Sequence, residues 1–223
     1  MNGETDDVSA GGDDRLAVLA DCLALKDERR TGWQCRGVDD PESVAAHSWG
    51  VALLCLTFAD DAGVDVDAAL RLAVVHDLAE ARTGDFPTRA DASAEPVSPA
   101  EKARRERTAM AEFGAQLPHV QALWEAYEAR EDETARFVKD MDLIDMCLQA
   151  LVYERESRYD ASQEGFESDY DALDEFFATA EPRISTDVGA DLFEHVYERY
   201  ERVRDGTTAS PEQASDGDGS VEP

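Results

Sequence analysis

Between residues 15 and 203 apolar residues return every three or four positions, while the strict alternation of a half-buried strand is essentially missing. In 15–26, Leu16, Leu19, Ala20 and Leu23 recur at i, i+3, i+4 and i+7, the pattern of a buried helical stripe. Segment 44–60 repeats it through Val44, Val51, Leu54, Cys55 and Phe58, with Ser43 placed as an N-cap. Segment 66–82 is apolar on most sides, which predicts a helix at the centre of the fold. Ser98-Pro99-Ala100-Glu101 has the capping-box pattern with proline at the first helical position, so another helix opens there. Further helices are expected at 119–130, 132–157, 168–180 and 187–203. The stretch 85–99, with three prolines and no periodicity, reads as a long surface loop. The expected fold class is all-α.

A chain of 223 residues holds one sizeable core, and a single domain over 14–204 accounts for the periodic part. The flanks 1–13 and 205–223 are rich in Gly, Ser, Pro and acid, and carry too little apolar surface to offset the entropy of ordering, so disorder is expected there. Only 21 Lys and Arg stand against 51 Asp and Glu, for a net charge of −30, and the lysines are Lys26, Lys102 and Lys139 alone. Such a surface suits a halophilic protein, because at about 1 M salt the Debye length falls to roughly 3 Å and self-repulsion is screened. It argues against nucleic-acid duplexes and anionic membranes as partners, since both need a basic face. No stretch approaches the roughly 18 apolar residues of a membrane span, and no signal peptide is expected from the acidic opening segment. Cys22, Cys35, Cys55 and Cys147 form no C-x-x-C pair, consistent with a reduced, cytoplasmic chain.

One stretch departs from the apolar pattern. "VVHDLAEARTGD" (74–85) sets His76 and Asp77 inside an apolar helical run, with Glu80 following and Asp85 beyond Thr83-Gly84. Each unpaired charge in such a place is costly to desolvate. His47 lies on the stripe of Val51, Leu54 and Phe58, which aims it inward. In "FVKDMDLIDMCLQALVY" (137–153), Val138, Asp142, Asp145, Gln149 and Val152 share a stripe at the edge of the packed face. Taken singly, His47 also reads as a core histidine bonded to a carbonyl, and Asp142 as an exposed acid. Together, His47, His76, Asp77 and Asp142 supply two imidazoles and two carboxylates from three helices. That mixed donor set suits one divalent transition ion such as Mn, Co, Ni, Fe or Zn better than calcium or magnesium. Adjacent helical residues point about 100° apart, so His76 and Asp77 share an ion only if it lies between their directions.

At these residues the chain resembles the HD-domain metal-dependent phosphohydrolases, whose H…HD…D signature matches His47, His76-Asp77 and Asp142. "RTGWQCRGVDDPESVAAHSWGVALL" (30–54), "HDLAEARTGDFPT" (76–88) and "FVKDMDLIDMCLQALVYE" (137–154) look like the motif blocks of the 5'-deoxynucleotidase branch. The resemblance implies a compact helical domain, usually a homodimer, holding a single divalent cation and releasing phosphate from deoxynucleoside 5'-monophosphates. Glu80, one turn past His76, is then placed to reach the attacking water or the leaving group without being a ligand. Asp85 resembles the family position that contacts the sugar hydroxyl, and Trp33 the aromatic that walls the sugar and disfavours a 2'-hydroxyl. Gly32 departs from relatives that carry a phosphate-gripping arginine there; Arg30 or Arg36 is the substitute, with Arg36 favoured. The remaining histidines, His119 and His195, lie far from the blocks, which leaves a mononuclear site. Alternatives are an HD-fold hydrolase of another phosphoester, a non-catalytic metal or nucleotide sensor, and a purely structural helical protein.

Overall fold

The computed structural model describes residues 10–90, 95–159, 170 and 172–206, the side chains of 10–13 excepted. The expected disorder of 1–9 and 207–223 therefore lies outside the described residues. Within them the elements are helices, and the sole β-pairing is an isolated bridge between Arg29 and Ser43.

Helix α8 (Glu133–Glu156) is the axis of the fold. Its 24 residues span about 36 Å at 1.5 Å per residue. Phe137, Val138, Met141, Ile144, Cys147 and Ala150 are buried around it. Packed on α8 are α3 (Val44–Phe58), α4 (Val66–Val75), α7 (Pro118–Ala129), α9 (Asp174–Ala180) and α10 (Asp187–Arg204). Outside this layer, α1 (Ala10–Cys22), the single turn α5 (Glu80–Thr83) and α6 (Pro99–Gly114) gather near a smaller cluster of Val75, Ala79, Ala109, Met110, Phe113 and Trp124. A further single turn, α2 (Thr31–Gln34), is too short to carry a periodic signal in the sequence.

The caps act where the sequence places them. Ser43 accepts from the amide of Ala46, and Ser98 from that of Glu101 with Pro99 at the first helical turn. Each such bond satisfies an amide that the helix itself leaves unpaired, worth about 1 kcal/mol. The expected helices at 44–60, 119–130, 132–157 and 187–203 are all present within a few residues. Of the one expected at 168–180, the described part is α9, and 168–169 and 171 lie outside the described residues.

Three expectations are corrected. The stripe of α1 and the turn after it faces outward: Leu16 is 66% exposed, and Leu19 and Leu23 are exposed as well. Val18 and Cys22, one helical turn apart, meet the smaller cluster instead. The segment 66–82 is neither central nor one helix. Val74 on α4 is 64% exposed, and the helix ends at Val75. From there the bonding tightens to Leu78 N–Val75 O, Glu80 N–Asp77 O and Arg82 N–Ala79 O, all i to i+3. The cause is local: the His76 ring takes the carbonyl of Ala73 at 2.8 Å, the acceptor that a continuing helix would offer to the amide of Asp77. Finally, the run expected from residue 15 ends as a helix at Cys22, with a separate turn over 23–26, and its first residue is Ala10.

Buried acid also ties α10 to the axis. Asp140, fully buried on α8, accepts from the amides and hydroxyls of both Ser185 and Thr186, while Thr186 caps α10. Gly189 makes room for it, since a Cβ there would collide with the Asp140 carboxylate. Replacing Asp140 with Ala strands buried donors, each at about 1–3 kcal/mol. Asp140→Ala is expected to lower unfolding free energy by roughly 3 kcal/mol in a urea titration, and Asp140→Asn by less; an Ala variant as stable as the parent contradicts this anchoring.

Candidate metal centre

His47 projects from the second turn of α3, Asp142 from the middle of α8, and His76-Asp77 from the tightened turn after α4. The fold brings all four together. His47 Nε2 lies 3.0 Å from Asp142 Oδ1 and 3.4 Å from His76 Nε2. Asp77 Oδ2 stands 3.2 Å from His76 Nε2 and 3.6 Å from His47 Nε2. Donor atoms of His47, His76 and Asp142 all fall within 4.8 Å of one another.

Each ring is oriented from behind. His76 Nδ1 donates to the Ala73 carbonyl, and His47 Nδ1 to Asp145 Oδ2 at 2.7 Å. These acceptors fix both rings through Nδ1 and turn their Nε2 atoms toward each other. Asp142 is fixed the same way, its Oδ2 receiving Lys139 Nζ at 2.6 Å and Tyr127 Oη at 3.1 Å while Oδ1 faces the rings. Sequence periodicity puts Asp145 on the right stripe without giving it a role, and does not single out Lys139 or Tyr127. The available signal is the i−3 and i+3 spacing of Lys139 and Asp145 about Asp142.

The electrostatics favour an added positive charge. Burial and Arg30 pull His47 toward neutrality, yet its bonds to Asp142 and Asp145 outweigh them and lift it to about 10. Burial would raise Asp77, but His76 and His47 overcome it and hold the carboxyl well below its usual range. Asp142 is likewise held low against burial by Lys139, His47 and His76. Two imidazole Nε2 atoms and two carboxylates converging on one point are a donor set that fits a divalent transition ion.

Glu80 sits beside this cluster, 4% exposed, with Oε2 lacking any hydrogen-bond partner. Because i and i+3 eclipse in a 3₁₀ turn, it rises over Asp77. Burial first, then Asp77 and Asp85, push it well above the usual carboxylate range against Lys102 and Arg30. Lys102 Nζ, 3.8 Å from Glu80 Oε1 and 3.6 Å from Glu106 Oε1, is another residue that no sequence motif marks. Gly84, at φ +73°, takes the left-handed turn that only glycine adopts freely, and swings Asp85 back onto the Thr31 amide.

Around these groups opens a cavity of about 320 Å³ lined by Arg30, Trp33, His76, Asp77, Glu80 and Asp85 among others. Arg30 Nη1 reaches Asp77 Oδ2 at 3.4 Å and Asp85 Oδ1 at 3.7 Å. Trp33 presents an edge to Tyr153 and lies against Phe176, ring centroids 3.9 Å apart. Arg36 does not join them, contrary to expectation. Its guanidinium is 1% exposed and paired with Glu175, 139 residues away in the chain, so it holds α9 to the segment after α2. His119 and His195 are exposed and remote from the cluster, as expected.

The sequence profile of the HD domain family matches residues 22–184. The 5'-deoxynucleotidase HDDC2 of Mus musculus is 41% identical over 135 residues, 58% of this chain and 65% of its own length, just under two thirds. That of Danio rerio is 36% identical over 165 residues, 72% of this chain and 74% of its own. A crystal structure of a Pyrococcus horikoshii protein superimposes with a TM-score of 0.65 at 30% identity, covering 84% of this chain and 99% of the other. With the helical architecture in place and histidines and aspartates from three separate segments converging within the matched span, the chain belongs to the HD-domain family.

Proposed function

We propose that this protein is a metal-dependent phosphohydrolase that releases phosphate from deoxynucleoside 5'-monophosphates. The observation that carries the reading is the pair of Nε2 atoms turned toward each other, each ring pinned through its Nδ1. His47, His76, Asp77 and Asp142 would hold one divalent ion; the names of the relatives support the nucleotide substrate. When bound, the ion supplies Lewis acidity, polarising a phosphoryl oxygen and making water more acidic.

The remaining work belongs to side chains. Arg30, at the cavity wall beside Asp77, offers donors to the phosphate oxygens. Trp33 walls the sugar and crowds a 2'-hydroxyl, and Asp85, its other oxygen held by the Thr31 amide, accepts from the 3'-hydroxyl. Water adds a hydroxyl to phosphorus as the P–O5' bond breaks, O5' needs a proton to leave as an alcohol, and the proton that water sheds goes back to the carboxylate that supplied it. Glu80 carries the proton for O5' at Oε2, and Lys102 stabilises the carboxylate left behind.

The exposed apolar stripe of α3 supports a homodimer. Trp49 is 69% exposed, with Leu53 and Leu56 exposed at i+4 and i+7 on the same face. A second copy seated there would remove these side chains from water.

Chelated protein, resupplied with manganese or cobalt in molar KCl, is expected to regain phosphate release from dAMP or dCMP. Glu80→Gln keeps its metal but loses roughly 100- to 10,000-fold in kcat; parental turnover with normal metal content removes Glu80 from the mechanism. In light scattering coupled to size exclusion, the parent has twice the 24.5 kDa chain mass and Trp49→Glu/Leu53→Glu has the chain mass. A monomeric parent contradicts the dimer.

A further inference from the structure

From Asp142 the cavity runs both ways along α8. Toward the N-terminal end it passes Lys139 to Tyr127 and Glu128 on α7. Toward the other end it passes Leu143 and Met146, which is one turn or about 6 Å beyond Asp142. Trp33, Phe176, Thr179 and Arg183 also line it, the last three at i, i+3 and i+7 on α9 and the turn after it. Since Trp33 is the wall assigned to the sugar, the base attached to that sugar lies toward Phe176, which packs on Trp33.

One group there is prepared for a ligand, and a second lies within reach of it. Thr179 is 2% exposed, and its Oγ1 has no hydrogen-bond partner. A buried hydroxyl is ordinarily satisfied in a native protein, so an unpaired one at a cavity wall points to a partner that arrives with the ligand. Arg183, exposed on the turn after α9 and also at the cavity wall, spends Nη1 on the Thr179 carbonyl at 2.6 Å, which leaves other guanidinium nitrogens facing solvent and cavity. Phe176, one helical turn before Thr179, adds an aromatic face beside Trp33. That ring reaches its place against the backbone of Gly32, where a Cβ would sit 3.3 Å from Phe176 Cε1. The position that in some relatives carries an arginine is here part of an aromatic wall.

We infer that Phe176, Thr179 and Arg183 form a nucleobase subsite, the ring stacking on the base and the hydroxyl and guanidinium reading its edge. This rests on the nucleotidase reading above. A guanidinium only donates, so it prefers an edge with a carbonyl oxygen to one with an amino group at the same place. Guanine and thymine present O6 and O4, whereas adenine and cytosine present an exocyclic amine there. The subsite therefore favours dGMP and dTMP over dAMP and dCMP.

The test measures Kd by calorimetry in metal-loaded protein for these four nucleotides and for deoxyribose 5-phosphate, with Glu80→Gln as background so that ligand is not consumed. The parent background binds dGMP and dTMP at least about tenfold tighter than dAMP and dCMP. Adding Arg183→Gln or Thr179→Val erases most of that preference and weakens deoxyribose 5-phosphate far less. No ranking among bases, or an equal loss for the sugar phosphate, overturns the subsite; the latter assigns Arg183 to phosphate. Phosphate release by the unsubstituted protein is read separately. Base ranking without release upholds the subsite and removes the phosphatase reading, while release without base ranking does the reverse.

Discussion

Two buried imidazole nitrogens aimed at one another across 3.4 Å set the terms for the rest of the molecule. Lone pairs so placed repel unless positive charge lies between them. Burial and Arg30 oppose a proton on His47, but the carboxylates of Asp142 and Asp145 on either side of the ring outweigh them and favour one there. A divalent cation held by His47, His76, Asp77 and Asp142 would supply the same positive charge. Asp145, the Ala73 carbonyl, Lys139 and Tyr127 are the backing that makes the arrangement rigid.

The fold serves this constraint through α8. That helix carries the acid facing the rings, the acid behind His47, the lysine that steadies Asp142 and, one turn on, the cavity wall. Asp140 on its opposite side fastens α10. One rigid element thus sets both the position of the donors and the depth of the pocket beside them. The turn after α4 solves a different problem. Successive residues point about 100° apart in an α-helix and about 120° in a 3₁₀ turn, so His76 and Asp77 converge through their side chains. Capture of the Ala73 carbonyl by His76 ends the helix there, and leaves Asp77 Oδ2 within 3.6 Å of both rings.

The features legible in the sequence divide along the same physical line. The helices at 44–58 and 133–156, the caps at Ser43 and Ser98, and the grouping of His47, His76, Asp77 and Asp142 follow from local periodicity, capping chemistry and the cost of buried charge. The outward turn of Leu16 and Leu19 does not, because periodicity shows that a stripe exists but not which helix covers it. Nor does the break at His76, which depends on a side chain competing for a backbone carbonyl. Arg36 departs from expectation for a third reason: its partner, Glu175, is distant in the chain, and no spacing rule connects them. The same distance hides the contribution of α9, whose Phe176 and Thr179 complete the far wall of the cavity.

Metal content is the most direct test of the central claim. Protein stripped with chelator, reloaded with manganese and freed of excess is expected to retain one ion per chain by elemental analysis. His47→Gln and Asp142→Asn should each fall well below that while keeping the helical circular dichroism of the parent. Undiminished loading in both variants, or a folded parent that retains no ion, contradicts the assignment of these four side chains to a single cation.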